Sequence, residues 1–230
     1  MALLRDGEIT VEGRLADASN ATLYCTIADA QMQAICVYKP IQGERPLWDF
    51  PDGTLAYREV AAYLVSVATG WDVVPPTVLR DGPFGLGMVQ LWIDVDEAIE
   101  LATLVHSNDP ALRRMAVFDA VVNNADRKGG HLLPVPEGHV FGVDHGVCFS
   151  VEPKLRTVLW GWRGTALDRE EISVLGVLRD ALTGTLGEAL VALLDPAEVV
   201  ATVHRVDDLL HHGVFPEPNP DWPAVPWPPY

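Results

Sequence analysis

Apolar and polar side chains alternate through EITVEGRL, and short apolar runs follow in ATLYCTIA and AICVYKP, separated by the turn-rich stretches ADASN and DAQMQ. A period of two predicts half-buried strands across residues 8 to 40. The period then changes. LAYREVAAYLVSVAT, from Leu55 to Thr69, repeats its apolar positions at helical spacing and is closed by Gly70, with Val73-Val74-Pro75-Pro76 beyond it. PTVLRD, the turn GPFG and GMVQLWI read as a hairpin, so strands, helix and strands succeed one another up to Ile93.

After residue 94 the pattern is helical in EAIELATLV and in PALRRMAVFDAVVNN, with Pro110 near a helix start. A polar loop follows, then LLPVPEGHVFGVDHGVCF, a short hairpin turning at Pro136-Glu137-Gly138-His139. DREEISVLGVLRDAL, TLGEALVALL and DPAEVVATVHRVDDLL are further helices, with Asp168 and Asp195 as N-caps or first-turn acids. The tail from Phe215 to Tyr230 holds seven prolines and two tryptophans and is therefore extended. The chain divides into a β-rich part (1–93), a helical part (94–214) and the tail (215–230), an α+β arrangement of two lobes sharing a cleft.

Composition narrows the function classes. The net charge of −16 argues against a nucleic-acid groove, which needs clustered Lys and Arg, and against docking on anionic lipid. No uncharged apolar stretch approaches membrane-spanning length, and MALLRDGEITVEG lacks the basic and apolar regions of a secretory leader. Cys25, Cys36 and Cys148 form no C-x-x-C pair, so the expectation is a reduced, cytoplasmic compartment.

The candidate chemistry sits in two places. Lys39 ends a strand, and Glu59 lies in the helix that follows; a lysine touching phosphates needs an anionic partner to hold its ammonium group. In VVNNADRKGGHLLP, Asp126, Arg127 and His131 crowd just beyond an apolar helix. Asp144 comes eighteen residues after Asp126, enough for a loop and one returning hairpin. Two carboxylates and an imidazole then meet near one point. Phosphoryl transfer uses such a set: one carboxylate for the acceptor hydroxyl, one for Mg²⁺, and a lysine against the developing charge.

ADRKGGH followed by GVDHG resembles the Asp-Arg-His-x-x-Asn and Asp-Phe-Gly pair of the phosphoinositide-kinase-like superfamily, which the HipA-type toxin kinases share. More closely, KPIQGERPLWDFPDGTLAYREVAAYLV with FDAVVNNADRKGGHLL resembles an actinobacterial family of small phosphatidylinositol 3- and 4-kinase-like proteins, over essentially the whole chain. The resemblance implies a minimal two-lobed protein-kinase-like fold with ATP in the cleft and Mg²⁺, or Mn²⁺, as the metal. It implies that Lys39 and Glu59 position the phosphates and that Asp126, beside Arg127, is the catalytic aspartate. It further implies that Asp144 and His131 hold the metal, that Gln90, Leu91 and Trp92 face adenine, and that Ser19 and Asn20 stand in for the phosphate-covering loop. Lys128, His131 and His145 depart from the family's usual residues, and the phosphate loop has no Gly-x-Gly.

Three rival readings accompany this one. His131, His139, Asp144 and His145 would serve a zinc hydrolase with Asp126 as base. A nucleotide-binding protein without transfer would keep the cleft and lose turnover. A lipid kinase would need a basic membrane-facing helix that is missing from the sequence. Elsewhere, Trp160, Trp162 and Arg163 are either acceptor pocket or core packing, and Cys148 is expected to be buried beside the metal loop. The segment Arg45–Gly53 is expected to fold over the cleft, and the tail to clamp the helical part or bind a partner protein. The expected acceptor is a protein or a small polar metabolite, with adenylyl transfer also open.

Overall fold

The alternation at residues 8 to 40 folds as three antiparallel strands, β1 (Glu8–Arg14), β2 (Leu23–Ala28) and β3 (Gln33–Pro40). A short helix, α1 (Ala2–Asp6), precedes them. The computed structural model describes residues 1–15, 20–136 and 138–230. Helix α2 (Leu55–Thr69) leads to the hairpin β4 (Thr77–Gly82) and β5 (Gly85–Leu91). The five strands form one antiparallel sheet in the order β1-β2-β3-β5-β4, so β5 returns to pair with β3 and places Met88 opposite Lys39.

Each face of this sheet has its own cover. Leu4, Cys25, Ile27, Cys36, Tyr38 and Val89 pack together on one face beneath α1. Met88 packs on the other with Ala56 and Val60 of α2. Lys39 shares this second face, because neighbouring residues of a strand point to opposite sides. Cys25 lies opposite Cys36 in the strand register, and all three cysteines are free and buried.

The helix ends follow from their sequences. Gly70 closes α2 in the left-handed conformation, φ 66°, which costs glycine nothing. Thr54 precedes α2 without a capping side chain of its own; Glu44 accepts the Leu55 and Ala56 N–H groups at 3.1 and 2.8 Å instead. Helix α3 is shorter than its apolar spacing predicts, spanning only Leu101–Val105. Asp96 diverts the residues before it by accepting the Ala98 N–H through its side chain and the Ile99 N–H through its carbonyl. Asp109 and Pro110 start α4 (Pro110–Val122), and Asn123 ends it with φ 52°.

The hairpin β6 (Leu132–Pro134) and β7 (Val140–Gly142) forms, with the Val135 N–H donating to the His139 carbonyl at 2.9 Å; Glu137, within the expected turn, lies outside the described residues. Capping boxes begin α5 (Arg169–Leu182), at Asp168 with Glu171, and α7 (Pro196–His212), at Asp195 with Glu198; α6 (Thr185–Val191) lies between them. The main core gathers Ala61, Ala62 and Val65 of α2 around Phe118 of α4, with Leu175 and Leu178 of α5 and Val206 of α7. A β-rich region followed by a helical region gives a two-lobed α+β layout. Among the described residues no helix is long and apolar enough to cross a membrane.

Two features tie the parts together. Arg58 of α2, 2% exposed, reaches Glu198 of α7 at 2.8 Å and the Cys148 carbonyl at 2.7 Å. The tail lies extended over the helical part: the Thr157 N–H and the Trp160 Nε1–H both donate to the Ala224 carbonyl. Trp162 is core packing, buried and set against Phe215, while Arg163 is exposed and lies 3.9 Å from Glu217.

Candidate active site

Lys39 stands at the end of β3 with two carboxylates on its ammonium group, Glu59 at 2.7 Å and Asp144 at 2.8 Å. Glu59 comes from the middle of α2 and is 2% exposed. Its second oxygen accepts the His145 N–H at 2.9 Å, so the helix is bonded to both the strand and the loop after β7. Burial disfavours the charge on Lys39, but Asp144 and Glu59 outweigh it and hold its pKa above the ordinary lysine value. Lys39 in turn holds the Asp144 carboxyl well below the usual carboxylate range, against a smaller effect of burial. Glu59 moves up because it is buried, an effect that Lys39 and the His145 N–H oppose.

Asp144 is the half-exposed member of this group, with 48% of its side chain open to solvent. Its φ of 64° is in the left-handed region, which a non-glycine residue occupies only when its surroundings impose it. The hydrogen bond from His145 to Glu59 and the ion pair to Lys39 impose it here. His131, just before β6, puts Nε2 3.5 Å from the other Asp144 oxygen. Burial pushes the His131 pKa down, which leaves the ring neutral at pH 7.

Asp126 lies across the same cleft, in the loop that follows α4. Arg156 and Lys128 each approach one of its oxygens at 3.1 Å. Arg156 also donates to the Ala125 carbonyl at 2.7 Å, and Asp126 donates its own N–H to Asn124 Oδ1 at 3.0 Å. The carboxylate is therefore aimed by its own loop and by the strip at residues 154–158.

Arg127 departs from the place its motif suggests. It is completely buried, with its guanidinium on Asp119 of α4 at 2.8 to 3.2 Å, the Val143 carbonyl at 3.0 Å and His145 Nε2 at 2.6 Å. Asn124 donates to the same Asp119 carboxylate at 3.0 Å. Arg127 thus bolts the Asp126 loop to the Asp144 loop from behind and does not touch the cleft. Burial and the neighbouring Arg127 push the His145 pKa far down, so its ring is neutral, and Nε2, accepting from Arg127, leaves the proton on Nδ1.

A cavity of about 470 Å³ opens between these groups. Lys39, Glu59, Asp126 and Asp144 line its floor, and Asn20 its edge. The segment from Arg45 to Phe50 forms one wall, as its sequence suggests, and Trp222 of the tail another. Lys154 joins the two walls: it is 4% exposed, pairs with Asp49 at 2.9 Å, and lies 5.2 to 5.5 Å from the rings of Trp48, Phe50 and Trp222.

The structure thus brings together Lys39, Glu59, Asn20, Asp126, Asp144 and His131. Ser19 lies outside the described residues. Gln90, Leu91 and Trp92 do not line the cavity. Gln90 is buried and donates to Thr77 Oγ1, and the N–H groups of Leu91 and Trp92 are taken by the Pro76 and Ile35 carbonyls at 2.9 and 3.0 Å. Sheet pairing consumes donors that the sequence left free to face a base.

The zinc constellation does not form. His139 Nε2 bonds the Asp72 carbonyl, and His145 Nε2 faces Arg127. No group of three His, Cys, Asp or Glu side chains that could hold a metal occurs among the described residues. Several supporting residues carried no distinctive sequence signal. Asp119 had one, an acid inside the apolar run AVFDAVV; Lys154, Arg156 and Trp222 had none beyond being charged or aromatic.

No protein-family model matches the chain. Protein Rv2133c of Mycobacterium tuberculosis (strain ATCC 25618 / H37Rv) is 47% identical over an alignment of 262 residues that covers 99% of this chain and 94% of that protein. Among solved structures, the crystal structure of a Helicobacter pylori proinflammatory kinase, CtkA, is similar with a TM-score of 0.46 and 11% identity, over 90% of this chain and 98% of that one. A likeness of that degree carries no argument for this chain, whose chemistry rests on its own side chains.

Proposed function

The chain belongs to the family of the mycobacterial Protein Rv2133c, and we propose that it is an atypical kinase, an ATP- and Mg²⁺-dependent phosphotransferase acting on a protein or small polar metabolite rather than a membrane lipid. One observation carries this reading. The Lys39 ammonium is held by Glu59 and Asp144, and Asp126 lines the same cleft. A strand lysine paired with a helix glutamate, a metal-site aspartate and an acceptor-orienting aspartate are the parts that protein-kinase-type phosphoryl transfer requires.

Each residue has a distinct task. Lys39 presents its ammonium to phosphate oxygens, and Glu59 keeps it in place from a buried position. Asp126 accepts the proton of the acceptor hydroxyl, with Arg156 and Lys128 fixing the direction of its oxygens. Asp144 suits a hard cation: it is an oxygen donor, ionised throughout the physiological range and half-open to solvent. His131 is a poor Mg²⁺ ligand by donor type, and its neutral ring beside Asp144 steadies that carboxylate. Bound Mg²⁺ supplies charge neutralisation at the phosphates. Asn20 takes a place at the phosphate end of the cleft.

A second reading, a nucleotide-binding protein without transfer, draws on one contact. Lys39 lies 2.8 Å from Asp144, so the cation and the metal-site carboxylate pair directly with each other. The two readings separate experimentally. ATP with Mg²⁺ raises the melting temperature in both, and Asp144→Ala removes the shift. Transfer of label from γ-labelled ATP to components of a cytosolic extract, lost in Asp126→Ala, supports the kinase; binding with no transfer supports the second reading. If zinc alone stabilises the protein and ATP does nothing, both fail.

A further inference from the structure

We infer that the acceptor is a small, uncharged polyhydroxylated molecule held in the chamber roofed by Trp48 and Trp222, and not a protein; this rests on the kinase reading above. The first support is that the surface a peptide would need is already used. The strip beside Asp126 has its backbone engaged within the chain: the Arg156 N–H donates to the Asn124 carbonyl, Thr157 to Ala224 and Val158 to Arg127. The tail reaches on to the loop of Asp126 itself, where Pro229 accepts the Gly129 N–H at 2.8 Å. An extended peptide adds to a strip through free backbone groups. Here the chain's own residues 224–229 fill that position.

The second support is the closure of the two walls. Lys154 is a buried cation between aromatic rings from both sides, Trp48 and Phe50 on one and Trp222 on the other, with Asp49 as its counter-ion. Separating the walls to admit a folded protein would expose this ion pair and the buried Phe50 ring. The whole cleft is about 470 Å³ and its lining also includes the phosphate-site residues, so the space left beside Asp126 is that of a small molecule.

Charge and hydrogen-bonding groups narrow the chemistry. Five acidic and three basic side chains line the cavity on a protein of net charge −16, which disfavours an anionic acceptor. Lys154 already lies over these rings as a cation and repels a second one, which disfavours a cationic ligand. What remains suits a neutral molecule bearing several hydroxyls. Asp126 accepts from it, and Arg45, exposed and lining the cavity, offers guanidinium donors. Trp222 Nε1–H, buried without a hydrogen-bond partner among the described residues, is a donor in search of an oxygen. Trp48, 85% exposed, offers an open ring face to the carbon-bound hydrogens of a cyclic polyol.

The step balances with ATP as the donor. The acceptor oxygen bonds the γ-phosphorus, the bond from that phosphorus to the β,γ-bridging oxygen breaks, and ADP departs with the electron pair. The hydroxyl proton passes to Asp126.

The test incubates the full chain with γ-labelled ATP and Mg²⁺, first with the dialysable and the macromolecular fractions of a cell extract, then with a panel of free hexoses, pentoses and alditols. The expected result is Asp126-dependent label in the dialysable fraction and on a member of the panel. Trp222→Ala and the milder Trp222→Phe, which removes only the N–H and part of the ring, are expected to raise the acceptor KM, the former about tenfold. Label confined to the macromolecular fraction, or released only as inorganic phosphate, overturns the inference, as does a wild-type KM in both Trp222 variants. Failure of the kinase reading looks different: no melting shift with ATP and Mg²⁺, and no Lys39-dependent label anywhere.

Discussion

Asp119→Asn tests whether the buried pair behind the cleft, and not the cleft itself, holds the two loops in register. The substitution keeps the shape of the side chain and removes one charge. In the native protein both Asp119 and Arg127 have no exposure, and Arg127 makes three contacts of 2.8 to 3.2 Å with the carboxylate. Were the pair exposed, its loss would cost about 0–1 kcal/mol. Burial decides otherwise, because Arg127 cannot shed its proton and is left as an uncompensated charge. The expected loss is about 3–5 kcal/mol. For a chain of this size each kcal/mol lowers the melting temperature by roughly 2–4 °C, so a fall of about 10 °C is expected.

The measurement is thermal unfolding by circular dichroism, with urea titration to give the free energy directly. Arg127 also holds the Val143 carbonyl and His145, so phosphoryl transfer by the folded variant should fall more than its ATP-induced melting shift. A double variant, Asp119→Leu with Arg127→Met, removes both charges and should recover much of the stability while remaining impaired in transfer. If Asp119→Asn melts within about 2 °C of the wild type, a change worth less than roughly 1 kcal/mol, the electrostatic argument is refuted.

Other perturbations reach other parts of the same frame. Arg58→Met breaks the buried link from α2 to Glu198 and should lose about 3 kcal/mol in urea unfolding, with Glu198→Gln in the same chain restoring part of it. Asp144 has its carboxyl pKa lowered by Lys39, so its pair stabilises the fold above the ordinary carboxylate pKa, and that stability is lost as pH falls through the lower folded value. The stability gap between wild type and Asp144→Asn should therefore be full at pH 7 and close below about pH 4, and a gap that widens on acidification contradicts the assignment. Gly129→Ala places a Cβ against the Tyr230 ring, so that ring must move. The expected cost is under about 1 kcal/mol, read by urea unfolding.

Several elements were legible because their cause is local. The strands at 8–40 follow from alternation, α2 from apolar spacing and its Gly70 stop, and α5 and α7 from Asp168 and Asp195 with a glutamate three residues later. The pairing of Lys39 with Glu59 was legible for a chemical reason, since an ammonium on a partly buried strand needs a counter-ion from the next element. The shortening of α3 was not, because it depends on Asp96 choosing its own backbone over the helix, and the Asp96 N–H donating to Pro134, far along the chain.

The sequence by itself determined the types of the elements and the identities of the groups able to do chemistry: Lys39, Glu59, Asp126, Asp144 and His131. Those properties live in side-chain type and in spacings of a few residues, which chain geometry alone converts to a face or a turn. The tertiary structure decided which groups face the cleft and which stand behind it. Arg127 sits next to Asp126 in sequence yet is fully buried on Asp119, and the N–H groups of Leu91 and Trp92 are spent within the fold. Trp222 lines the cavity, and Lys154, buried behind it, joins the tail to the Trp48–Phe50 wall. The physical reason is the same in each case. A buried charge or a buried backbone donor must find a partner, and the partner comes from whichever segment the fold packs beside it.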